Sequence, residues 1–336
     1  MKTILFFFLV WLEHLSMFGS TFLQEGEKEK LFTLLKPDQT NIYFNNELHE
    51  TKEYNPLLYS NFYGGGGVGI GDINNDGLAD IYFAGNLVAD RLYLNRGNMV
   101  FEDITEKAGI LNNGEWSSGV LMGDVNKDGY LDIYVTRELY DYKPELRRNK
   151  LYINNGNNTF TESAAKYGLD DNERTRHATF IDYDKDGDLD LYLLNQPPNP
   201  GNLSEYYNTE LLLDKYSQRL YENQGATFTD ITEKAGLLKA HFPNSVTASD
   251  LNGDGWTDLY VASDFWTPDC IYINNGDGTF TDKVHEYARH ITFSSMGIDA
   301  GDINNDGLLD LIILDMVPDD YYRLKTNMGG PSIRAF

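Results

Sequence analysis

From about residue 60 onward the apolar residues come in short β-rich runs rather than in helical stripes. The runs IYFAG from Ile81, IYVT from Ile133, LYLL from Leu191, LYVA from Leu259 and LIIL from Leu311 are bounded by turn residues. Runs of this length and composition predict buried strands. Each is preceded by another candidate strand, in the segments GGVGIGD, SGVLMGD, ATFIDYD, SVTASD and MGIDAGD. After a connection, the first four are followed by a further pattern: LYLNRGNMVFEDITEKAGI from Leu92, LYINNGNNTFTESAAKYGL from Leu151, LYENQGATFTDITEKAGL from Leu220 and IYINNGDGTFTDKVHEYAR from Ile271. A strand with Tyr, an Asn-x-Gly turn and a strand opening on Phe predict a hairpin, because Asn and Gly tolerate positive φ.

The repeating unit is therefore strand, acidic loop, strand, connection, strand, Asn-Gly turn, strand. Its copies start their loops at Asp72, Asp124, Asp182, Asp250 and Asp302, 52 to 68 residues apart. Four antiparallel strands per repeat predict an all-β protein, a β-propeller of four-stranded blades spanning 31–336. The repeats fall at about 60–110, 117–170, 176–238, 244–291 and 296–316. A linear calcium-bound β-solenoid is the alternative architecture, but its repeats are much shorter and lack a four-strand unit. Residues 31–44, LFTLLKPDQTNIYF, partly echo the outer-strand pattern and are expected to close the ring by completing the last blade. The fifth repeat runs only to Leu311–Met316 without a following hairpin pattern, as expected of the front part of a longer protein.

The loops carry the chemistry. Position 1 holds Asp72, Asp124, Asp182, Asp250 and Asp302, and position 3 holds Asn74, Asn126, Asp184, Asn252 and Asn304. Position 5 holds Asp76, Asp128, Asp186, Asp254 and Asp306, followed by Gly. Position 7, expected to offer its backbone carbonyl, is Leu78, Tyr130, Asp188, Trp256 and Leu308. Position 9 is Asp80, Asp132, Asp190, Asp258 and Asp310. Hard oxygen ligands at alternate positions of a tight turn select Ca²⁺, in about five sites. An EF-hand would place a bidentate Glu at position 12, where this chain has Phe83, Val135, Leu193, Val261 and Ile313. The closing ligand is then the position-9 Asp, and strands rather than helices follow, which also disfavours a dockerin-like module. Asp-Asn-Gly turns without metal would repel themselves at this density of like charge.

Net charge is −25, and five bound Ca²⁺ would offset part of it. The acidic excess argues against nucleic acid, which needs a basic footprint. Cys270 is the only cysteine, so metal rather than an intrachain disulfide is the available staple, and thrombospondin-type calcium repeats are disfavoured. Lys2 followed by the apolar run Ile4–Leu12 resembles a signal peptide over 1–24, too short to span a membrane. Export also follows from the loops, since extracellular calcium modules work near 10⁻⁴–10⁻³ M, a concentration the cytosol does not supply. The run Gly64–Gly71 lacks the Lys-Ser/Thr of a phosphate loop, and is read as small residues crowded near a propeller axis. His177 is placed just before an inner strand, where a structural role is expected and the channel-facing position is the alternative. The chain contains no HExxH or GxSxG and no Ser-His-Asp order, so it is read as non-catalytic.

DxNxDGxxD followed by LYxNxGxxxFxD resembles the FG-GAP/VCBS repeat family, the calcium-binding propeller repeats of integrin α subunits and many secreted bacterial proteins. Within it, GGGVGIGDINNDGLxD and xFxDITEKAGL most resemble the repeat region of proteins related to cartilage acidic protein and the ASPIC/UnbV group. The resemblance covers about 60–315 and implies a calcium-stabilised propeller used in cell adhesion or in protein and glycan interaction. The connection from the last loop Asp to the hairpin Tyr spans 13, 20, 31 and 14 residues in repeats one to four. In an up-and-down blade these insertions extend from the face opposite the loops. The insertions 137–149 and 195–216 are the expected surface for a protein or glycan partner, with Tyr140, Tyr142, Pro197, Pro198, Tyr206 and Tyr207, and Phe265 and Trp266 in repeat four. The alternative is a propeller-type polysaccharide lyase, which would need Arg137, Arg147, Arg148, Arg174, Arg176 and His177 to converge on an acidic sugar.

Overall fold

The computed structural model describes residues 32–59, 61–110, 112–140, 143–197, 215–264, 267–317, 320 and 322. Two compact units divide at Thr40. In the first, the described residues form one helical turn, Pro37–Thr40. The second holds the repeats.

Each of the first four repeats is one antiparallel sheet with strands in chain order. The first comprises β1 (Val68–Gly71), β2 (Asp80–Phe83), β3 (Arg91–Asn95) and β4 (Phe101–Asp103). The second comprises β5 (Ser117–Gly123), β6 (Asp132–Arg137), β7 (Lys150–Asn154) and β8 (Phe160–Glu162). The third comprises β9 (Thr175–Ile181), β10 (Asp190–Asn195), β11 (Arg219–Asn223) and β12 (Phe228–Asp230). The fourth comprises β13 (Pro243–Ser249), β14 (Asp258–Ser263), β15 (Cys270–Asn274) and β16 (Phe280–Asp282). The fifth repeat contributes a pair, β17 (Ser295–Gly301) and β18 (Asp310–Asp315). First strands neighbour one another in order, β1 beside β5, β5 beside β9, β9 beside β13 and β13 beside β17. These are the blades that the alternation predicts.

Alternation also explains where the core lies. Side chains of one strand point to both faces of its sheet, so each blade supplies two half-cores. Tyr82, Leu92 and Leu94 of the first blade meet Ile133, Val135 and Tyr152 of the second. Tyr134 and Leu151 meet Leu191 and Leu193 of the third, and Tyr192 and Leu220 meet Leu259, Val261 and Tyr272 of the fourth. Tyr260 and Ile271 then meet Ile298 and Ile313. The Tyr of each second strand therefore faces the following blade, and the Tyr of each third strand the preceding one. The outward faces of the terminal blades stay open: Val68 and Ile70 are 51 % and 66 % exposed, Ile312 and Leu314 52 % and 62 %.

A hydrogen-bonded latch ties consecutive blades on the face away from the acidic loops. Tyr82 Oη and Ser117 Oγ both donate to Asp90 Oδ2, at 2.8 and 3.0 Å. Asn149 Nδ2 donates to Tyr134 Oη and to Thr175 Oγ1 at 3.0 and 2.9 Å. Tyr260 Oη and Ser295 Oγ donate to Asp269 Oδ2 at 2.9 and 3.0 Å. Between the third and fourth blades Pro243 occupies the hydroxyl position. There the side-chain nitrogen and oxygen of buried Gln218, and the Tyr192 hydroxyl, have no hydrogen-bond partner among the described residues.

The closing strand expected over 31–44 is not formed. Leu31 lies outside the described residues, and 32–44 hold the helical turn and irregular backbone. A strand needs a ladder partner, and no third strand of the fifth repeat occurs among the described residues. Instead, residues 41–49 run extended along the first blade, alternately exposed and half-buried. Phe44 stacks on Phe83 with centroids 5.0 Å apart, and Asn46 exchanges two hydrogen bonds with Asn86. The candidate signal segment 1–24 and the insertion residues Tyr142, Pro198, Tyr206, Tyr207, Phe265 and Trp266 lie outside the described residues. No helix among the described residues is long and apolar enough to cross a membrane.

Glycines near the axis permit the close approach of inner strands. A Cβ on Gly67 would lie 2.8 Å from Gly119 Cα and 2.9 Å from Val120 N, both rigid backbone. Gly67→Ala is therefore expected to destabilise the protein by roughly 1–3 kcal/mol, read as a lower midpoint in urea unfolding.

Candidate metal-binding loops

Each loop folds because its own carboxylates and amides accept the backbone N–H groups of the next few residues. Asp72 Oδ1 accepts from Asp76 N at 3.1 Å and Oδ2 from Gly77 N at 2.7 Å. Asp76 Oδ1 in turn accepts from Leu78 N at 2.9 Å. Asp124, Asp250 and Asp302 make the same pair of bonds in their loops. Two left-handed residues close each turn, at positions 4 and 6. Position 6 is always Gly, whereas position 4 is Asn75, Lys127, Lys185, Gly253 or Asn305. The demand at position 4 shows in the sequence only as an absence of β-branched residues.

Position 9 is the structural centre of the motif. Asp80, Asp132, Asp190 and Asp258 are essentially inaccessible to solvent. Asp80 Oδ2 accepts from the position-2 amide of Ile73 at 3.0 Å, and Oδ1 from the hairpin amide of Asn95 at 2.7 Å. Asp132 repeats this with Val125 and Asn154, Asp190 with Tyr183 and Asn223, and Asp258 with Leu251 and Asn274. An ionised carboxylate has about four lone-pair sites, so two remain for a cation after these bonds. Asp310 receives its position-2 bond from Ile303.

The hairpin Asn residues are the functional positions that pattern reading missed. Asn95, Asn154, Asn223 and Asn274 were expected as turn residues tolerant of positive φ, yet the positive φ falls on Gly97, Gly156, Gly225 and Gly276. The Asn side chains act as cross-links. Asn154 Nδ2 donates to Leu131 O in its own blade at 3.0 Å and to Ile73 O in the preceding loop at 2.8 Å. Asn223 and Asn274 reach Val125 O and Tyr183 O in the same way, at 2.9 and 2.7 Å. The first three acidic loops are thereby each pinned to the next blade. The signal was present in the sequence as Asn at the fourth position of all four LYxN strands.

The residue chemistry fits a hard divalent cation. In the third loop, carboxylate oxygens of Asp182, Asp184 and Asp190 lie within 4.8 Å of one another. Asp182 Oδ1 and Asp188 Oδ1 there are buried with no hydrogen-bond partner among the described residues. Burial, reinforced by neighbouring loop acids, pushes Asp132 and Asp190 up to about 7 and Asp188 up to about 6, and raises Asp80, Asp184 and Asp258. The cause is desolvation of a charge with too little positive compensation. Lys127 is 3.9 Å from Asp188 across the blade junction, a partial offset only.

Each arginine that a lyase would use is engaged by another group of the protein. Arg137 is 3.8 Å from Glu115, Arg147 3.5 Å from Glu173, Arg148 2.6 Å from Asp170 and Arg176 2.7 Å from Glu138. Arg174 donates to Pro197 O and lies over the Tyr59 ring. His177 belongs to β9 itself rather than preceding it. Burial and the adjacent Arg176 push it down to about 4, which keeps it neutral at physiological pH.

The FG-GAP-like repeat model matches residues 72–135, 144–193 and 250–313. The chain belongs to the FG-GAP-like repeat family. Integrin alpha-3 of Cricetulus griseus is 24 % identical over 185 residues, covering 46 % of this chain and 18 % of that protein. Cartilage acidic protein 1 of Xenopus tropicalis is 28 % identical over 140 residues, 41 % of this chain and 21 % of that protein. The matched stretches thus span about a fifth of these relatives. A solved Agrocybe aegerita structure, titled for recognition of non-reducing terminal N-acetylglucosamine, aligns over 76 % of this chain and 67 % of its own. Its sequence identity is 17 % and its TM-score 0.42, a likeness that carries no argument.

Two outcomes are expected. Asn154→Ala removes three bonds and leaves two carbonyls unpaired, so it should cost roughly 1–3 kcal/mol and show as faster amide exchange at the first two blades. The raised carboxyls bind protons more tightly in the folded chain than at the unfolded value of about 4. Their charging therefore costs stability between about pH 4 and 7. Chelator-treated protein should gain melting temperature as pH falls from 8 toward 5.5, and saturating Ca²⁺ should abolish that gain.

Proposed function

We propose that this chain is an exported, calcium-binding repeat module that mediates adhesion or protein and glycan interaction without catalysing a reaction. The observation that carries the reading is the position-9 Asp, buried among other acids and bonded to both its own loop and the hairpin. A Ca²⁺ ion held by Asp72, Asn74, Asp76, the Leu78 carbonyl and Asp80, and by the corresponding residues of the other loops, would neutralise that cluster. It would thereby stiffen the junction between consecutive blades. Membership of the FG-GAP-like repeat family and relatives among integrin α chains and cartilage acidic protein support the interaction role. Export agrees with the free-calcium level such loops need. On the opposite face the insertions present Tyr140 and the 143–149 turn to a partner.

Calorimetric titration of chelator-stripped protein with Ca²⁺ is the decisive experiment. Heat of binding at several sites, and a rise in melting temperature of many degrees, are expected. Asp186→Ala should remove one site and loosen mainly the third blade in hydrogen exchange. Titration without heat, together with unchanged melting under chelation, would overturn the reading.

A further inference from the structure

The extended segment after residue 41 does more than cover the first blade. Its half-buried positions are anchored, Phe44 on Phe83 and Asn46 on Asn86, so its alternate side chains Asn45, Glu47 and His49 project outward in a row. Opposite this row stand Tyr54, Leu87 and Tyr140, and between the two sides lies a recess of about 530 Å³. That volume falls within the roughly 300–1,000 Å³ of small-molecule sites. The recess is on the insertion face, over a firm base of Tyr59, Phe62, Trp116 and Leu139.

We propose that this recess is a carbohydrate subsite that takes a neutral hexopyranose ring. This rests on the interaction-module reading and names its ligand. A pyranose has an apolar C–H face and a rim of hydroxyls that each donate and accept. The recess matches both. The Tyr54 and Tyr140 rings meet at 78° with centroids 5.7 Å apart, forming an aromatic corner extended by Leu87. The row opposite supplies an amide, a carboxylate and an imidazole, groups able to donate to and accept from a hydroxyl rim.

Charge narrows the class. Among the described residues no Lys or Arg lines the recess, and Glu47 contributes negative charge, so uronates and sulfated sugars are disfavoured. A cationic peptide is less well served, because the single carboxylate is largely exposed and already 3.6 Å from His49 and 3.4 Å from Asn45 Nδ2. Backbone strain marks the same place. Leu87, Leu139 and Tyr140 all hold left-handed φ, at 59°, 69° and 52°. Such residues are strained, and they concentrate at active sites, ligand clamps and switch regions. Leu87 and Leu139 sit at equivalent points of the first two repeats, and Tyr140 adds a second left-handed residue in succession.

The test uses the full chain saturated with Ca²⁺. Methyl glycosides of glucose, galactose and mannose, methyl glucuronide and an oligoarginine peptide are titrated and followed by saturation-transfer NMR. Binding of at least one neutral glycoside is expected, at least tenfold weaker in Tyr140→Ala and in Asn45→Ala. Asn45 is exposed, so Asn45→Ala should melt like the parent and separates lost contact from lost folding. Absence of neutral-glycoside binding, or binding unaffected by both substitutions, overturns the proposal. Binding of oligoarginine alone, lost in Glu47→Gln, would make the recess a peptide site instead. Either negative result accompanied by calcium-dependent melting removes only the sugar subsite, whereas glycoside binding without any calcium effect removes the metal reading and leaves this one.

Discussion

A carboxylate sealed from water and bonded to two backbone amides is the constraint on which the repeats depend. Burying such a charge costs several kcal/mol unless it is compensated, and here the surroundings are themselves acidic. The two N–H donors fix where the Asp80, Asp132, Asp190 and Asp258 carboxylates must sit, and hence the register between loop and hairpin. They do not supply positive charge. Burial, with that deficit, pulls the Asp132 and Asp190 carboxyls upward. A loop shaped by its own carboxylates, with one of them locked into the sheet, has the hard-oxygen chemistry that suits a divalent cation.

Asparagine links the repeats. Because Asn154, Asn223 and Asn274 reach the preceding loop while sitting beside their own Asp, the loop of one blade is bonded directly to the sheet of the next. The cores work to the same plan, since every cluster between consecutive blades draws on both. Neither element is intact in a single repeat, which is why such units occur in arrays.

Much of this was legible in the chain. Short apolar runs bounded by turn residues predict the strands, and five copies of one nine-residue motif predict the blades. Local pattern fails where the reason for a residue lies in another repeat. Asn154 reads as a turn former because its neighbour Gly156 is one, and its bond to Ile73, 81 residues away, leaves no local trace. The segment 31–44 reads as an outer strand from its echo of that pattern, but a strand needs a ladder partner, and the described residues 32–44 form a helical turn and irregular backbone without one. Four of the candidate lyase arginines, which the sequence leaves without partners, are each paired with an acid, Glu115, Glu138, Asp170 or Glu173.

The axial latch is made three times and omitted once, where Pro243 replaces a hydroxyl-bearing residue and Gln218 and Tyr192 keep their polar groups to themselves. Buried polar atoms without partners lower the cost of separating the surfaces that hold them. That seam is nonetheless tied at both ends: Gln196 Nε2 donates to Pro243 O and Asn244 Oδ1 at 2.6 and 3.0 Å on the insertion side, and Asn274 reaches Tyr183 O on the side of the acidic loops. The proline that breaks the hydroxyl latch thus supplies, through its carbonyl, the acceptor that stands in for it.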